Sequence, residues 1–566
     1  MSKRIVIIGG SAAGPKAASK ARRLDQDAEI TIIQKGGYLS MASCGYPYYV
    51  GGVFDERNML ISTPTGVERD PTFFMNVKNI NALVRSEVVS IDRENKKVRV
   101  KDLESGNEKD CPYDKLIITT GASDIMPNLP GKDLAGVEAL HSMEDADVLK
   151  AAAADSSIEN VLVVGGGLIG METCEAFRLA GKKITVVEMM DQILPFLDWE
   201  MAKLVENYIR TKGIEVITSA AVTGFSGENG KITGATLSNG EKLECQLAVV
   251  AVGVRPNSSL AKDAGLSIGK RGGISVNRFM QTDDPDIYAA GDCVEVTNLV
   301  THDKQQFPMG DIANLQGRVA AQNVVLGNVS EFEGVVGTGI CKLFDYGAGS
   351  TGLSESQARR EGYTSVITSI HAAPDKPGFM GGSPLIIKMI ADKMTGKFLG
   401  MQAVGLGDVS KRVGMAAVAV HAKMCLAQLV NLDLPYAPPF SPAIDNFIQA
   451  AHVIENKWRH NMVGISSMDV KAKIDNGEKP MLLDVRGPDE YEAMRLDLGE
   501  KLIPLGKLRK SLDQLPADKD QEIITYCKIS LRGYEAACFL KSAGYTNVKV
   551  MEGGLISWPF GLKMGA

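Results

Sequence analysis

Two glycine-rich turns constrain this chain more than anything else in it. The first follows the apolar run Ile5-Val6-Ile7-Ile8 and reads Gly9-Gly10-Ser11-Ala12-Ala13-Gly14. The second follows Val161-Leu162-Val163-Val164 and reads Gly165-Gly166-Gly167-Leu168-Ile169-Gly170. A short apolar run that ends on glycine and opens into a helical pattern is a strand–turn–helix unit, and Pro15 is tolerated in the first turn of such a helix. Glycines let the backbone approach a pyrophosphate, whose charge then sits on the helix N-terminus. In the second copy Gly165, Gly167 and Gly170 complete the spacing. A helix with Glu172 and Glu175 follows, and the strand Ile184 to Val187 closes on Glu188. That carboxylate can accept both ribose hydroxyl protons of an adenine nucleotide. In the first copy Ser11 takes the middle glycine's place, and Gln34 ends the second strand where an acid would stand. On its own, the first copy reads equally as a packing motif.

Composition narrows the classes. With 566 residues, and ~150 per domain, about four domains are expected. Hydrophobic residues at 45% and charged residues at 23% fit a globular protein and exclude a disordered or fibrous one. The net charge of −6, with no basic domain, argues against nucleic acid as a main partner. No run approaches the ~18 apolar residues of a membrane span, so no membrane partner is expected. Nine cysteines include no C-x-x-C, which removes zinc ligand pairs, and no metal site is expected. Their odd, scattered placement without a leader points to a reducing compartment, the cytoplasm. Most of these thiols, Cys538 included, are expected in the core.

Three further segments accompany the turns. Leu116 to Ala122 and Val249 to Asn257 read as buried strands ending in glycine turns at Gly121 and Gly253; Thr282 to Asp292 is another strand, ending on a carboxylate beside Gly291. With these, the chain resembles the flavoprotein disulfide reductases with two dinucleotide folds, from residue 1 to about 455. The resemblance implies FAD in the first fold, held around Gly9, Ser11, Gly14, Gln34 and Gly121, with Asp292 on the ribityl chain and Gly253 nearby. Asn314 falls in the stretch Asn314 to Arg318, which resembles the family's helix against the flavin. It implies NADH in the second fold, at Gly165, Gly167, Gly170 and Glu188. Met189, Met190 and Asp191 follow Glu188, so a 2′-phosphate would meet a carboxylate with no cation, and NADH is expected over NADPH.

The redox chemistry is expected at Ser40-Met41-Ala42-Ser43-Cys44-Gly45-Tyr46-Pro47-Tyr48. This looks like the S-x-x-x-C-G-x-P-Y signature of the single-cysteine branch of that family. The two-cysteine branch has C-x-x-x-x-C, but Leu39 and Tyr49 stand at the positions a second cysteine would need. Such a thiol forms its disulfide with something outside the chain or is oxidised to a sulfenic acid. A buried structural cysteine fits this loop poorly. Peroxidases and oxidases of the branch carry a histidine in the first glycine loop, whereas the first histidine here is His141. The coenzyme A disulfide reductases lack it and share Leu432-Asp433-Leu434-Pro435-Tyr436-Ala437-Pro438-Pro439-Phe440, whose tyrosine reaches the partner subunit's cysteine. That casts Tyr436 as a proton donor or thiolate stabiliser in a homodimer. The family's second active-site tyrosine is missing from Pro377 to Gly382, and Ser43 replaces its asparagine.

The last hundred residues read as a separate unit, joined by a linker at Val463 to Met468. A strand at Met481 to Val485, a polar turn from Arg486 and a second strand at Ile523 to Tyr526 lead into Cys527-Lys528-Ile529-Ser530-Leu531-Arg532. This resembles a rhodanese, a sulfur-transfer domain. Amides of such a loop, with a helix N-terminus behind, can cradle a thiolate or persulfide, and Arg532 adds charge. Ser530 replaces the usual loop glycine; a catalytically dead rhodanese fold is the alternative.

The expected fold is therefore α/β, with two Rossmann-like domains, an α+β dimerisation domain and a C-terminal α/β rhodanese-like domain. Expected boundaries are 1–122 with 253–330 for FAD, 123–252 for NADH, 331–460 for dimerisation and 466–566 for the rhodanese. The expected activity is NADH-dependent reduction of coenzyme A persulfide, polysulfide or coenzyme A disulfide through FAD and Cys44, with Cys527 carrying sulfur. The alternatives are an NADH oxidase or peroxidase, and a flavin redox sensor with a sulfur-binding module.

Overall fold

The computed structural model describes residues 2–565, which fall into two compact units. One holds the chain up to Met189 together with Ile217–Val335, the other Met190–Val216 together with the chain from Val336 onward. The first unit rests on two parallel sheets. In one, Ile287–Ala289, Lys115–Ile118, Arg4–Ile8, Glu29–Ile33 and Asn81–Leu83 lie side by side in that order. In the other, Lys183–Val187, Asn160–Val164, Leu247–Val250 and Val137–Glu138 do the same. The central strands are almost wholly buried, as apolar runs covered on both faces should be. Each glycine turn leaves the C-terminal end of such a strand, where open parallel sheets leave a ligand crevice.

The second unit contains an antiparallel sheet in the order Gly339–Leu343, Tyr346–Gly352, Phe398–Gly405, Pro384–Asp392, Val366–Pro374. The helices Val409–His421 and Asn446–Trp458 pack on it. A parallel sheet follows in the order Gly464–Ile465, Val548–Met551, Ile523–Tyr526, Met481–Asp484, Lys501–Leu502. The α/β class agrees with the sequence expectation. The linker does not: Gly464–Ile465 is an edge strand, and Ser467–Asp475 is a helix capped by Ser466. Two residues of strand are too short for alternation to show. The connection that remains, from the end of the helix at Trp458 to Gly464, is residues 459–463. No helix among the described residues is long and apolar enough to cross a membrane.

The helix Trp199–Thr211 is fixed within the second unit by a buried ion cluster. Lys388, on the strand Pro384–Asp392, places its Nζ 3.0 Å from Asp198 and 2.9 Å from Glu355, and bonds Glu200 as well. Asp198 also accepts from Gln402 Nε2 at 2.8 Å and from the Glu355 N–H at 3.0 Å. The three carboxylates are close enough to suggest a cation site, and the Lys388 ammonium is the cation among them. Burial opposes the charge on Asp198, but Lys388 and the backbone donors outweigh it and hold its carboxyl below the usual range. Lys388→Met, which strands these carboxylates, is expected to cost about 3–5 kcal/mol of stability at pH 7 in denaturant unfolding. Because the Asp198 carboxyl is depressed, its contribution is present above the usual carboxylate range and lost as pH falls through its lowered value. The variant's deficit should therefore shrink in acid; an equal deficit at pH 7 and pH 3 would mean Lys388 acts through packing alone.

Candidate active site

The two glycine turns are wired alike. A Cβ at Gly14 would stand 2.0 Å from the Gly9 carbonyl oxygen, and one at Gly170 would stand 2.0 Å from that of Gly165. Gly9 and Gly165 share a backbone region that side chains rarely enter, with φ of 105° and 108°. In the first turn the Gly10 N–H donates to Gln34 Oε1 at 2.7 Å; in the second the Gly166 N–H donates to Glu188 Oε2 at 2.7 Å. A neutral amide thus makes the contact that a carboxylate makes in the other copy. Both following helices, Ala13–Leu24 and Leu168–Leu179, start without a side-chain cap, so their first amides remain available to an anion. Ser11 occupies the middle position half-buried, in the turn rather than in the strand.

Several polar groups near the first turn lack a protein partner. Burial pushes the Asp292 carboxyl up, His141 offsets this only in part, and the group accepts no hydrogen bond from the described residues. Gln316 is buried; its Oε1 takes the Gly291 N–H at 2.7 Å, while its Nε2 has no acceptor. A buried amide donor and a carboxylate left this way fit a polar, hydroxyl-bearing cofactor such as FAD. Space at Gly121 is open, and Gly253 is also in the positive-φ region. Asn314 instead turns back to the Gly310 carbonyl on its own helix, at 2.7 Å.

Cys44 lies in the turn Ser43–Gly45, ahead of the short helix Tyr46–Val50. No two cysteines among the described residues are joined in a disulfide, and Cys44 and Cys527 are thiols. A Cβ at Gly310 would stand 3.8 Å from Cys44 Sγ, so the helix Gly310–Leu326 begins beside the thiol. Desolvation around Sγ pushes the Cys44 thiol up, and the charges of Glu172, Asp292 and Asp311 add to it. Glu172 was read from the sequence only as part of a helix. It is pushed up to about 7, first by burial and then by Glu175, against a hydrogen bond from Tyr48. The helix carrying Tyr48 lies tight on the helix carrying Glu172, since a Cβ at Gly51 would stand 2.9 Å from Ala176 Cα. Tyr436 sits in the other unit, on the segment before the helix Asn446–Trp458, and is 55% exposed.

The second thiol is held differently. Cys527 is fully buried at the start of its loop. Arg532 lies near it and grips Glu490 through two 2.7 Å bonds, which hold the Glu490 carboxyl down at about 2. Behind them Asp484 orients Arg486, which takes the Glu490 carbonyl at 2.9 Å and that of Met494 at 2.7 Å. Ser530 stands at φ 79°, a conformation costing a side-chain-bearing residue roughly 1–3 kcal/mol. Its Oγ is buried without a partner. Cys538 is exposed, contrary to the core assignment. On the helix Leu531–Ser542 it shares a face with Tyr534, Glu535 and Ser542, whereas Ala536 and Ala537 turn into the core.

Glu172 sets a pH-dependent charge on Cys44. As pH rises through about 7 its carboxylate forms and makes the thiolate harder to form. Glu172→Gln should therefore lower the pH at which Cys44 is half-maximally alkylated. An unchanged titration would mean that the carboxylate does not act on the thiol.

Comparison with known proteins places these features in a family. Residues 3–309 match the pyridine nucleotide-disulphide oxidoreductase family, 339–447 its dimerisation domain and 466–559 a rhodanese-like domain. An NADH oxidase of Methanocaldococcus jannaschii is 36% identical over 442 residues, 77% of this chain and 95% of that protein. The NAD(P)H coenzyme A polysulfide/persulfide reductase of Pyrococcus horikoshii is 33% identical over 457 residues, 80% and 99% of the two. The solved structure of an NAD-dependent persulfide reductase from A. fulgidus is 41% identical, with a TM-score of 0.93 over 98% of this chain and 100% of that one. With more than half its length matched by one family model, this chain belongs to the pyridine nucleotide-disulphide oxidoreductases.

Proposed function

We propose that this protein uses NADH to reduce coenzyme A persulfide, related polysulfides or coenzyme A disulfide at Cys44, and carries sulfane sulfur on Cys527. The observation that carries the reading is the pairing of two unlike free thiols on one chain. Cys44 is exposed beside a helix start in the dinucleotide-binding unit, and Cys527 lies in an arginine-flanked loop. The name of the A. fulgidus protein, matched along nearly its whole length, supports persulfide as the substrate class. The NADH oxidase of M. jannaschii matches over 77% of this chain only, and the first glycine loop here, Ser11-Ala12-Ala13, has no histidine to assist peroxide chemistry.

When bound, FAD supplies the two-electron relay from NADH to sulfur. The uncapped helix starts after Ala12 and Gly167 would hold the two pyrophosphates, Asp292 would accept ribityl hydroxyls, and Glu188 would accept the ribose hydroxyls of NADH. The Cys44 thiolate attacks the inner sulfur of coenzyme A persulfide. The S–S bond breaks, its electron pair leaves with hydrosulfide, and a Cys44–coenzyme A mixed disulfide remains. Hydrosulfide is a more acidic leaving group than an alkyl thiol, which favours this route over attack on a plain disulfide. Two electrons then split the mixed disulfide into the Cys44 and coenzyme A thiolates. Tyr436 serves as a proton donor or thiolate stabiliser across a homodimer. The match of residues 339–447 to the family's dimerisation domain supports such an interface. Buried Cys527 loads sulfur only from a donor small enough to reach the floor of its loop.

Two outcomes test the reading. Glu188, without a following cation, should favour NADH over NADPH in kcat/KM by at least tenfold, about 1.4 kcal/mol; equal efficiencies would remove that role. Cys44→Ser should retain FAD yet lose hydrosulfide release from preformed coenzyme A persulfide. Cys527→Ser should keep that activity and lose thiosulfate- or polysulfide-dependent sulfur transfer. If Cys527→Ser fails on preformed persulfide as badly as Cys44→Ser, sulfur passes through the C-terminal domain first; if neither fails, Cys44 is not the redox cysteine.

A further inference from the structure

The segment from Glu552 to Phe560 touches the sulfur loop on one side and the rest of the second unit on the other. On the loop side, the Leu555 N–H donates to the Cys527 carbonyl at 3.1 Å and the Ile556 N–H to that of Lys528 at 3.2 Å. Nothing fits between them: a Cβ at Gly554 would stand 2.5 Å from the Cys527 oxygen and 2.7 Å from the Lys528 oxygen. In a planar trans peptide the N–H points opposite to the C=O. Holding these two carbonyls toward Leu555 and Ile556 therefore turns the N–H groups of Lys528 and Ile529 to the other side of the loop. Neither N–H donates to any group among the described residues. Two oriented, free amides beside a thiol are what a sulfur anion needs.

On its other side the segment is clamped by residues that precede the C-terminal domain. The buried Glu552 carboxylate takes Lys457 Nζ and, at 3.2 Å, the Ile370 N–H; Lys457 also donates to the Thr368 carbonyl at 2.8 Å. Asn207 Nδ2 donates to the Pro559 carbonyl at 2.9 Å. The Phe560 ring lies 5.7 Å from that of Trp199 and 5.0 Å from that of Trp558. Between the clamps Ser557 Oγ is 3.2 Å from the Glu552 carbonyl and 3.1 Å from that of Gly554, which stiffens the segment.

We infer that Lys457 and Trp199, outside the rhodanese-like domain, are positioning residues for sulfur transfer at Cys527, acting through the Glu552–Phe560 strut. The inference rests on the proposed sulfur-carrying role of Cys527. In that transfer the Cys527 thiolate attacks the outer sulfur of thiosulfate. One S–S bond forms, the other breaks, and sulfite departs with the electron pair. A cyanide or thiolate acceptor then attacks the outer sulfur of the persulfide and returns the Cys527 thiolate. Negative charge stays on sulfur throughout, and the Lys528 and Ile529 amides face it only while the strut holds their peptide planes.

The test uses full-length, FAD-loaded protein with thiosulfate as donor and cyanide as acceptor. Lys457→Met and Trp199→Ala should each lower kcat for thiocyanate formation on the order of tenfold to a hundredfold, the scale of a small misplacement by a remote change. The thiosulfate KM should move little, Lys457→Arg should restore most of kcat, and NADH-dependent reduction of preformed coenzyme A persulfide should stay at the wild-type rate. Amide hydrogen exchange should quicken at 552–560 and in the Cys527 loop together. Wild-type sulfur transfer in Lys457→Met, with exchange quickened only at 552–560, would overturn the inference and leave the role of Cys527 standing. An inactive wild-type Cys527 would remove that role and the inference with it. If Trp199→Ala does not fold, Lys457→Met and its arginine counterpart decide the matter.

Discussion

The dinucleotide-binding unit depends on one backbone contact, made twice. The carbonyl of the glycine that ends the strand lies where the helix glycine's Cβ would be, at Gly9 with Gly14 and at Gly165 with Gly170. Any side chain there would push the helix off the strand end, and its free amides would no longer converge on the crevice. The contact also explains why the two turns tolerate different neighbours. Once strand and helix are locked, the remaining donor, the Gly10 or Gly166 N–H, needs only an oxygen, and the Gln34 amide meets that need as well as the Glu188 carboxylate.

What could be read in the sequence divides along the same line. Features fixed by local backbone demands were legible: the glycine spacing, the carboxylate closing the second fold, the cysteine turn before Tyr46, and the loop from Cys527 to Arg532. Features that arise when distant segments meet were not. Glu172 is spoken for by its helix in sequence and becomes notable only when the Tyr46–Val50 helix settles on that helix. Glu490 gains its role from Arg532, forty-two residues away. The exposure of Cys538 is set by residues three and four away on its helix face rather than by its apolar sequence neighbours. Ser530 departs from the usual loop glycine, and its backbone keeps the glycine-like conformation regardless.

The two thiols sit in opposite electrostatic settings. Cys44 is desolvated and has carboxylates around it, which hold its anion back. Cys527 has a guanidinium nearby and loop amides without a partner among the described residues. Under the proposed function one thiol cycles through a mixed disulfide and the other stores a persulfide, and the two are given different neighbours rather than different residue types.

The short connection before the C-terminal domain has a mechanical consequence. Residues 459–463 span at most about 18 Å when fully extended, and Gly464 is already pinned, since a Cβ there would stand 2.0 Å from Glu552 Oε1. A domain on so short a leash, bolted at Lys457 and Trp199, cannot work as a swinging arm. On the proposed function, sulfur loaded at Cys527 leaves on a mobile acceptor rather than on a moving domain.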